Sequence, residues 1–405
     1  MKFGIIKERK NPPDRRVVFT PAKLAELQQQ FPEAQIKVES SDIRVYKDEE
    51  YAAMGFDVSK DMNDCDVLIG VKEVPVDYLI PEKKYFFFSH TIKKQPHNQP
   101  LLQAVIDKEI ELYDHETITD KNGRRLIGFG RYAGIVGAYN CFRAFGIKYE
   151  LFNLAKAETL ADRDELIIRL RRQTLPPVKI VLTGRGKVGI GAKEMLDAMK
   201  IKQVSVNDYL SKSYDVPVYV QIDVLDYNKR GDGKVLNNQD FYDNPVDYIS
   251  DFERFTQVSD IFIAGHFCAA DAPVILSREM LVSKQNKIKI VADISCDVGG
   301  PLACTVRSST IADPFYGYYP AEDKEVDMQH PAAIVVMAVD NLPCELPRDA
   351  STGFGDMFLQ HVIPAFFNND KDGILDRAKI TEKGRLTENF RFLEGYVHEL
   401  RNVPN

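Results

Sequence analysis

Cysteine is scarce in this chain and scattered: Cys65, Cys141, Cys268, Cys296, Cys304 and Cys344 form no Cys-x-x-Cys pair and no cluster with histidine. That spacing excludes a standard zinc site, so no metal is expected, and it fits reduced thiols. Basic charge is not in excess either. The net charge is −7 and no lysine- or arginine-rich tract occurs, which argues against a nucleic-acid partner. No apolar run reaches the length of a membrane span; the longest, residues 332–339, is far too short. The first residues lead into a strand-like run rather than a cationic and then apolar signal segment. These absences predict a cytoplasmic protein without membrane partners. The 44% apolar and 28% charged content is that of a soluble globular protein, and 405 residues exceed what one core usually serves. Two domains are expected.

The most informative segment present is Lys179-Ile180-Val181-Leu182-Thr183-Gly184-Arg185-Gly186-Lys187-Val188-Gly189. It reads as a buried strand, a glycine-rich turn and the start of a helix. Gly184, Gly186 and Gly189 fall on the dinucleotide-binding spacing: the first for a tight turn, the second for approach of a pyrophosphate, the third for close helix–strand packing. The helix start then presents amide groups and a positive dipole end to the phosphates. Asp208 follows Gly189 by 19 residues, after a second apolar run at 203–206, and is the expected ribose-binding carboxylate. A purely structural turn between strand and helix is the alternative.

Strand-like runs at 3–7, 35–39, 66–71, 84–89 and 109–113 alternate with helix-like stretches at 20–31, 48–54 and 98–108. A second alternating series runs from 178 to about 293. Such alternation predicts α/β architecture: two Rossmann-like, doubly wound parallel-sheet domains with a cleft between them. The expected boundaries are 1–135 plus about 345–405 for the leading domain, and 136–344 for the dinucleotide domain. Residues 131–154 read as a long bridging helix, 210–250 as a polar insertion, and 347–367 and 380–400 as terminal helices.

Three clusters follow strand-like runs in the leading domain, where open α/β sheets place their ligands. Asp14-Arg15-Arg16 offers guanidinium groups suited to carboxylates, though an arginine pair is also ordinary solvated surface. Lys72 ends an apolar run with Glu73 beside it; partly desolvated, it could act as a base, and otherwise it snorkels. His90 closes the aromatic run Phe86-Phe87-Phe88-Ser89 and is either a proton carrier near pH 7 or a structural histidine. His115 and His266 border these segments and read as structural.

Together with Phe88-Ser89-His90-Thr91-Ile92-Lys93, Gly128-Phe129-Gly130-Arg131-Tyr132-Ala133-Gly134, Asp293-Ile294-Ser295-Cys296-Asp297-Val298-Gly299-Gly300-Pro301 and Val339-Asp340-Asn341-Leu342-Pro343, these clusters resemble one family in order along nearly the whole chain. It is the lysine–ketoglutarate reductase and saccharopine dehydrogenase (L-lysine-forming) family, within the wider alanine dehydrogenase and transhydrogenase group. The resemblance implies an oxidoreductase that interconverts saccharopine with L-lysine and 2-oxoglutarate using NAD, or NADP. It implies Lys72 and His90 as the acid–base pair. Arg16, Gln95, Arg125, Phe129, Ser295, Cys296, Asp297 and Pro343 would lie against the substrate; on electrostatic grounds Glu73 and Glu116 are expected to tune the pair, since carboxylates nearby keep Lys72 charged. Arg124, Gly184, Gly186, Lys187, Gly189, Asp208, Phe267, Ile294, Val339, Asp340, Asn341 and Leu342 would line the dinucleotide. Relatives of the fungal type carry tyrosine at the place of Phe267. An alanine dehydrogenase-type enzyme or a transhydrogenase α-like subunit are the alternatives, and monomer and homodimer both stay open.

Overall fold

A computed structural model describes residues 1–398 apart from 236 and 270. The chain divides into two compact units, one of Met1–Phe129 with the chain from Pro347 onward, the other of Gly130–Leu346.

The first unit is a six-stranded parallel sheet built from Lys2–Ile5 (β1), Gln35–Glu39 (β2), Asp57–Ser59 (β3), Val67–Lys72 (β4), Lys84–Phe88 (β5) and Glu111–Asp114 (β6). The order β3-β2-β1-β4-β5-β6 reverses direction between β1 and β4, the switch point at which such sheets bind ligands. Helices Pro21–Gln30 (α1), Asp48–Ala52 (α2) and Gln99–Asp107 (α3) connect the strands. Thr20 caps α1 by accepting from the Lys23 N–H, with proline at its first position. The aromatic strand β5 shows why the sheet is covered on both faces. Phe86 and Phe88 pack toward Phe358 and Phe354 of the helix Pro347–His361, whereas Tyr85 and Phe87 join the core around Leu101, Leu102 and Val105 of α3. Period-two side chains that are apolar on both faces demand cover on both.

The second unit begins with Gly130–Lys148 (α4), followed by Arg163–Arg171 (α5) and a mixed eight-stranded sheet. Its parallel part consists of Lys179–Thr183 (β7), Lys202–Gln203 (β8), Val218–Ile222 (β9), Ile261–Ala264 (β12), Ile290–Asp293 (β13) and Ile334–Met337 (β16). Asn228–Arg230 (β10) and Tyr248–Ser250 (β11) form a separate antiparallel pair. Phe315–Tyr319 (β14) and Lys324–Val326 (β15) extend the sheet antiparallel past β16. The order is β15-β14-β16-β13-β12-β7-β9-β8. Helices Lys187–Ala198 (α6) and Val206–Ser211 (α7) follow β7 and β8.

Both units are thus Rossmann-like α/β, as the alternation of runs predicted. Three local expectations fail. The second strand expected at 203–206 shrinks to the two-residue edge strand β8, and the strand beside β7 is β9, inside the supposed 210–250 insertion. The added matter is the β10–β11 hairpin region that follows it. The helix expected at 131–154 ends at Lys148, where Lys148 Nζ binds the Met328 and His330 carbonyls. The helix expected at 380–400 is instead the pair Thr381–Glu382 and Arg385–Leu386, turned at Lys383 and Gly384, both with positive φ. A 3-10 turn Glu388–Leu393 and a short helix Glu394–His398 follow. Residues 399–405, within the expected tail, lie outside the described residues.

α4 is buried on nearly every side because it crosses α6 backbone to backbone. A methyl group on Gly191 would lie 1.9 Å from the Arg131 carbonyl oxygen, and one on Gly134 1.9 Å from that of Val188. No side chain can move aside there, because the clashing atoms are main chain. Gly191→Ala should therefore lower unfolding free energy by about 1–3 kcal/mol. An unchanged urea midpoint would show that the helices can separate at no cost.

Candidate active site

In the first unit the ends of β4, β5 and β6 bring the candidate proton-transfer residues to one sheet edge. Lys72 ends β4 at an irregularity: the β4–β5 register shifts between Ile69 and Lys72. The chain after β1 has turned away by then, and the Glu8 carboxylate replaces it, accepting from Val71 N–H at 2.7 Å and Lys72 N–H at 2.8 Å. On the other side His115 Nε2 bonds the Gly70 carbonyl at 2.8 Å. His115 is buried among Phe88, Phe354 and Phe358, and burial lowers its pKa to about 3, so it is a neutral structural histidine.

His90 follows β5 in the left-handed region at φ 55°. Its N–H, together with the N–H and hydroxyl of Ser89, donates to Asp114 Oδ2, while the Glu116 N–H donates to Asp114 Oδ1. His90 Nδ1 lies 3.0 Å from Glu116 Oε2, which leaves Nε2 as the nitrogen for a substrate. Glu116 Oε1 also binds Arg125 at 2.7 Å and Lys93 at 3.2 Å. Burial would raise the Glu116 pKa, but the His90 hydrogen bond and the two cations outweigh it and hold it at about 2. Arg125 stands over the Phe88 ring at 5.7 Å.

Arg16 is buried and bidentate to Asp14, at 3.0 and 2.6 Å, with its guanidinium 4.2 Å above the Phe129 ring. Phe129 in turn stacks on Phe354 at 4.4 Å. The arginine pair therefore splits: Arg16 is built into the unit and Arg15 is exposed. Glu73 pairs with Lys10 at 2.9 Å. Gln95 is exposed, with its bonds to Asn98 and Tyr396 and none described to the cluster. Arg124 is exposed and paired with Asp120.

In the second unit the turn after β7 has the shape a dinucleotide needs. Gly184 adopts φ 90°, and a methyl there would meet the Gly265 carbonyl at 2.5 Å. A methyl on Gly189 would lie 2.1 Å from the Gly184 carbonyl, whereas one on Gly186 would meet nothing within 4 Å. The bare Gly186 backbone at the start of α6 thus faces open space, beside Lys187. His266, after β12, bonds Thr183 Oγ1 at 2.7 Å and leaves a buried Nε2 without a partner among the described residues. Burial lowers its pKa to about 4, so that nitrogen is a neutral group at the crevice between β7 and β12. These features fit a nicotinamide dinucleotide: phosphates at the glycine turn, with Phe267, 77% exposed, beyond it.

Ser295, Cys296 and Asp297 follow β13 in a turn shaped by Asp293. That buried carboxylate accepts from Ser295 N–H and hydroxyl, Cys296 N–H and Thr305 hydroxyl, at 2.6–3.2 Å. Ile294, Val339 and Leu342 are buried walls at the ends of β13 and β16, with Asp340, Asn341 and Pro343 beside them.

Asp208 does not follow the strand that neighbours β7. It lies half-buried on α7, paired with Lys212 at 2.8 Å, beyond the edge strand β8 and a full strand away from β7. The carboxylate directly after the strand neighbouring β7 is Asp223, following β9. It accepts from Val224 N–H at 2.9 Å and Asn238 at 2.8 Å. Spacing pointed to Asp208 because 19 residues is the usual interval, and here an extra edge strand lies between.

Residues 4–136 match the alanine dehydrogenase/PNT N-terminal domain, and residues 171–391 match the alanine dehydrogenase/PNT C-terminal domain. The chain belongs to the alanine dehydrogenase/PNT family. Among curated relatives, the α-aminoadipic semialdehyde synthase of Arabidopsis thaliana is 28% identical, covering 96% of this chain and 41% of its own length. The saccharopine dehydrogenase [NAD(+), L-lysine-forming] of Yarrowia lipolytica is 23% identical, covering 81% of this chain and 83% of its own. The chain spans less than half the length of the semialdehyde synthases it matches. The fold is that of an L-alanine dehydrogenase (TM-score 0.65, 17% identity, 99% of this chain and all of that one). A transhydrogenase from Sinorhizobium meliloti is similar (0.62, 15%, 96% and all). Among the described residues no helix is long and apolar enough to cross a membrane.

The depressed Glu116 has a consequence for stability. Its folded pKa lies below the ordinary 4.5, so it contributes stability that is present above that pH and lost as pH falls toward 2. Glu116→Gln should remove this acid-dependent loss. Urea midpoints of the parent and variant that decline in parallel over that window would rule out the contribution.

Proposed function

We propose that this chain interconverts saccharopine with L-lysine and 2-oxoglutarate, with NAD as its dinucleotide. The observation that carries the reading is the set of side-chain cations beside His90: Glu8 and Asp114 are taken by main-chain N–H groups where β4, β5 and β6 end, and Glu116 meets both Arg125 and Lys93, one carboxylate shared between two cations. Saccharopine carries three carboxylates, and surplus cations suit it better than a small amino acid. The relation to lysine-forming saccharopine dehydrogenases over most of both chains supports the same substrate.

The bound dinucleotide supplies hydride exchange. The protein supplies proton management. In the synthetic direction the lysine ε-amine must lose a proton before attacking the ketone of 2-oxoglutarate, and water must then leave to give the imine. Lys72 takes and returns the proton at nitrogen. His90, oriented through Nδ1 by Glu116, serves the carbinolamine oxygen from Nε2. Arg125 and Lys93 hold substrate carboxylates, and Arg16, already neutralised by Asp14, aligns the wall made by Phe129.

Oxidation of the reduced nicotinamide should follow addition of lysine plus 2-oxoglutarate and not pyruvate plus ammonia; the reverse pattern would make this an alanine dehydrogenase. Lys72→Met and His90→Gln should each reduce kcat by at least about tenfold, the lower range for one acid–base group. Near-normal turnover in both would reject the assignment.

Asp223 takes the ribose role in place of Asp208 in this reading. A carboxylate there hydrogen-bonds the ribose hydroxyls and repels a 2′-phosphate. Asp223→Ser should raise KM for NADH and narrow the preference over NADPH, while Asp208→Ser leaves both unchanged. If Asp208→Ser alone shifted the preference, the reassignment would be wrong.

A further inference from the structure

Main-chain hydrogen bonds at the ends of β4 and β5 share a feature that the proposed chemistry does not require of itself. Lys72 N–H is held by Glu8, and His90 N–H by Asp114. Both carboxylates are buried, Glu8 at 6% exposure and Asp114 at 0%. Neither comes from the strand that carries the residue it holds. Glu8 lies just past β1, where Ile6 makes the last main-chain bond of that edge, to Ile69. Asp114 ends β6. In each case the neighbouring strand makes its last pair three residues before the candidate proton carrier, at Ile69 and at Phe87, and a carboxylate takes the N–H groups that follow.

The geometry around each is otherwise irregular. β4 changes register before Lys72, and His90 is left-handed. Irregularities of this kind re-aim side chains at the ends of strands. They persist only where something fixes the main chain, and the carboxylates are the groups placed to do so.

We infer that Glu8 and Asp114 are positioning residues: by holding the Lys72 and His90 main-chain N–H groups they set where the amine and the imidazole meet the substrate. The inference rests on the proposed acid–base pair and adds two residues that touch neither substrate nor cofactor. A misplacement of about 1 Å can cost on the order of a hundredfold in rate. Glu8→Gln retains the shape but offers an amide in place of one acceptor, and Asp114→Asn does the same.

The test uses the full chain with lysine, 2-oxoglutarate and reduced nicotinamide. Glu8→Gln and Asp114→Asn should each lower kcat by roughly tenfold or more, with KM for the dinucleotide within about twofold of the parent enzyme. The decisive measurement is coupling. Adding Glu8→Gln to Lys72→Met, or Asp114→Asn to His90→Gln, should slow turnover by less than about twofold beyond the single catalytic variant, because a misplaced group already absent costs nothing further. Losses that multiply would overturn the inference, as would a lowered unfolding midpoint with kcat intact. Should Glu8→Gln fail to fold, Glu8→Asp withdraws the carboxylate by one methylene and is judged by the same coupling. Failure of every variant to fold would assign both carboxylates to stability alone and also overturn it. Near-normal turnover of Lys72→Met by itself would instead sink the proposed acid–base reading.

Discussion

A parallel sheet that ends in a working site has unpaired N–H groups at its edge, and in this protein buried carboxylates take them. Glu8 receives Val71 and Lys72, Asp114 receives Ser89, His90 and Glu116, and Asp293 receives Ser295 and Cys296. Asp223 does the same for Val224 after β9. A buried N–H without a partner costs about 1–3 kcal/mol, so a strand end could not stay dry without such acceptors. Water could satisfy the same groups, but it would leave the chain free to move. Glu8 and Asp114 tie the ends of β4 and β5 to chain from a neighbouring strand, whereas Asp293 and Asp223 close the turns that follow their own strands, and each fixes an edge that would otherwise fray.

Burying carboxylates carries its own cost, and the first unit shows how it is met. Glu8 and Asp14 lie close together, with Arg16 the guanidinium acting on both. Burial, and after it the Asp14 charge, push the Glu8 pKa up to about 8 against the pull of its two main-chain bonds. A raised pKa means that Glu8 holds its proton more tightly, which lessens the charge buried beside the Asp14–Arg16 pair. Glu116 is the opposite case. It is only partly buried, faces three donors, and stays ionised far below neutrality. The two acids thus serve different ends, since Glu8 fixes main chain whereas Glu116 fixes the charge beside an imidazole.

Much of this was legible in the sequence, for identifiable reasons. Strands buried on both faces read as apolar runs, so β4 and β5 fall within a residue of the runs at 66–71 and 84–89. Lys72 and His90 stood out because each closes such a run. The glycine spacing after β7 announced its turn. Glu8 was invisible, since Lys7-Glu8-Arg9-Lys10 is indistinguishable from a solvated charged loop. Only tertiary structure shows that its carboxylate replaces a strand. Asp208 stood out by its interval from Gly189, and an interval does not show that it follows the edge strand β8 rather than the strand beside β7. β9 was hidden in a polar stretch, although Val218-Tyr219-Val220-Gln221-Ile222 carries a β-rich composition that could have exposed it. The tail misled through amphipathicity, which a short hairpin and a 3-10 turn can imitate over so few residues.

The left-handed residues show how these constraints combine. His90 at φ 55° and Cys296 at φ 50° both lack the freedom of glycine, and each such conformation costs about 1–2 kcal/mol. Both lie in turns closed by a carboxylate, Asp114 for one and Asp293 for the other. A hydrogen bond to a charged acceptor contributes about 1.5–3 kcal/mol, and each carboxylate makes several. The clamp therefore outweighs the strain it imposes, even where burial raises the carboxylate pKa and weakens its charge. Strain alone would relax and a clamp alone would leave an ordinary turn. Together they hold a side chain at an angle that the strand's own geometry would not give, at the end of the sheet where a substrate has to be met.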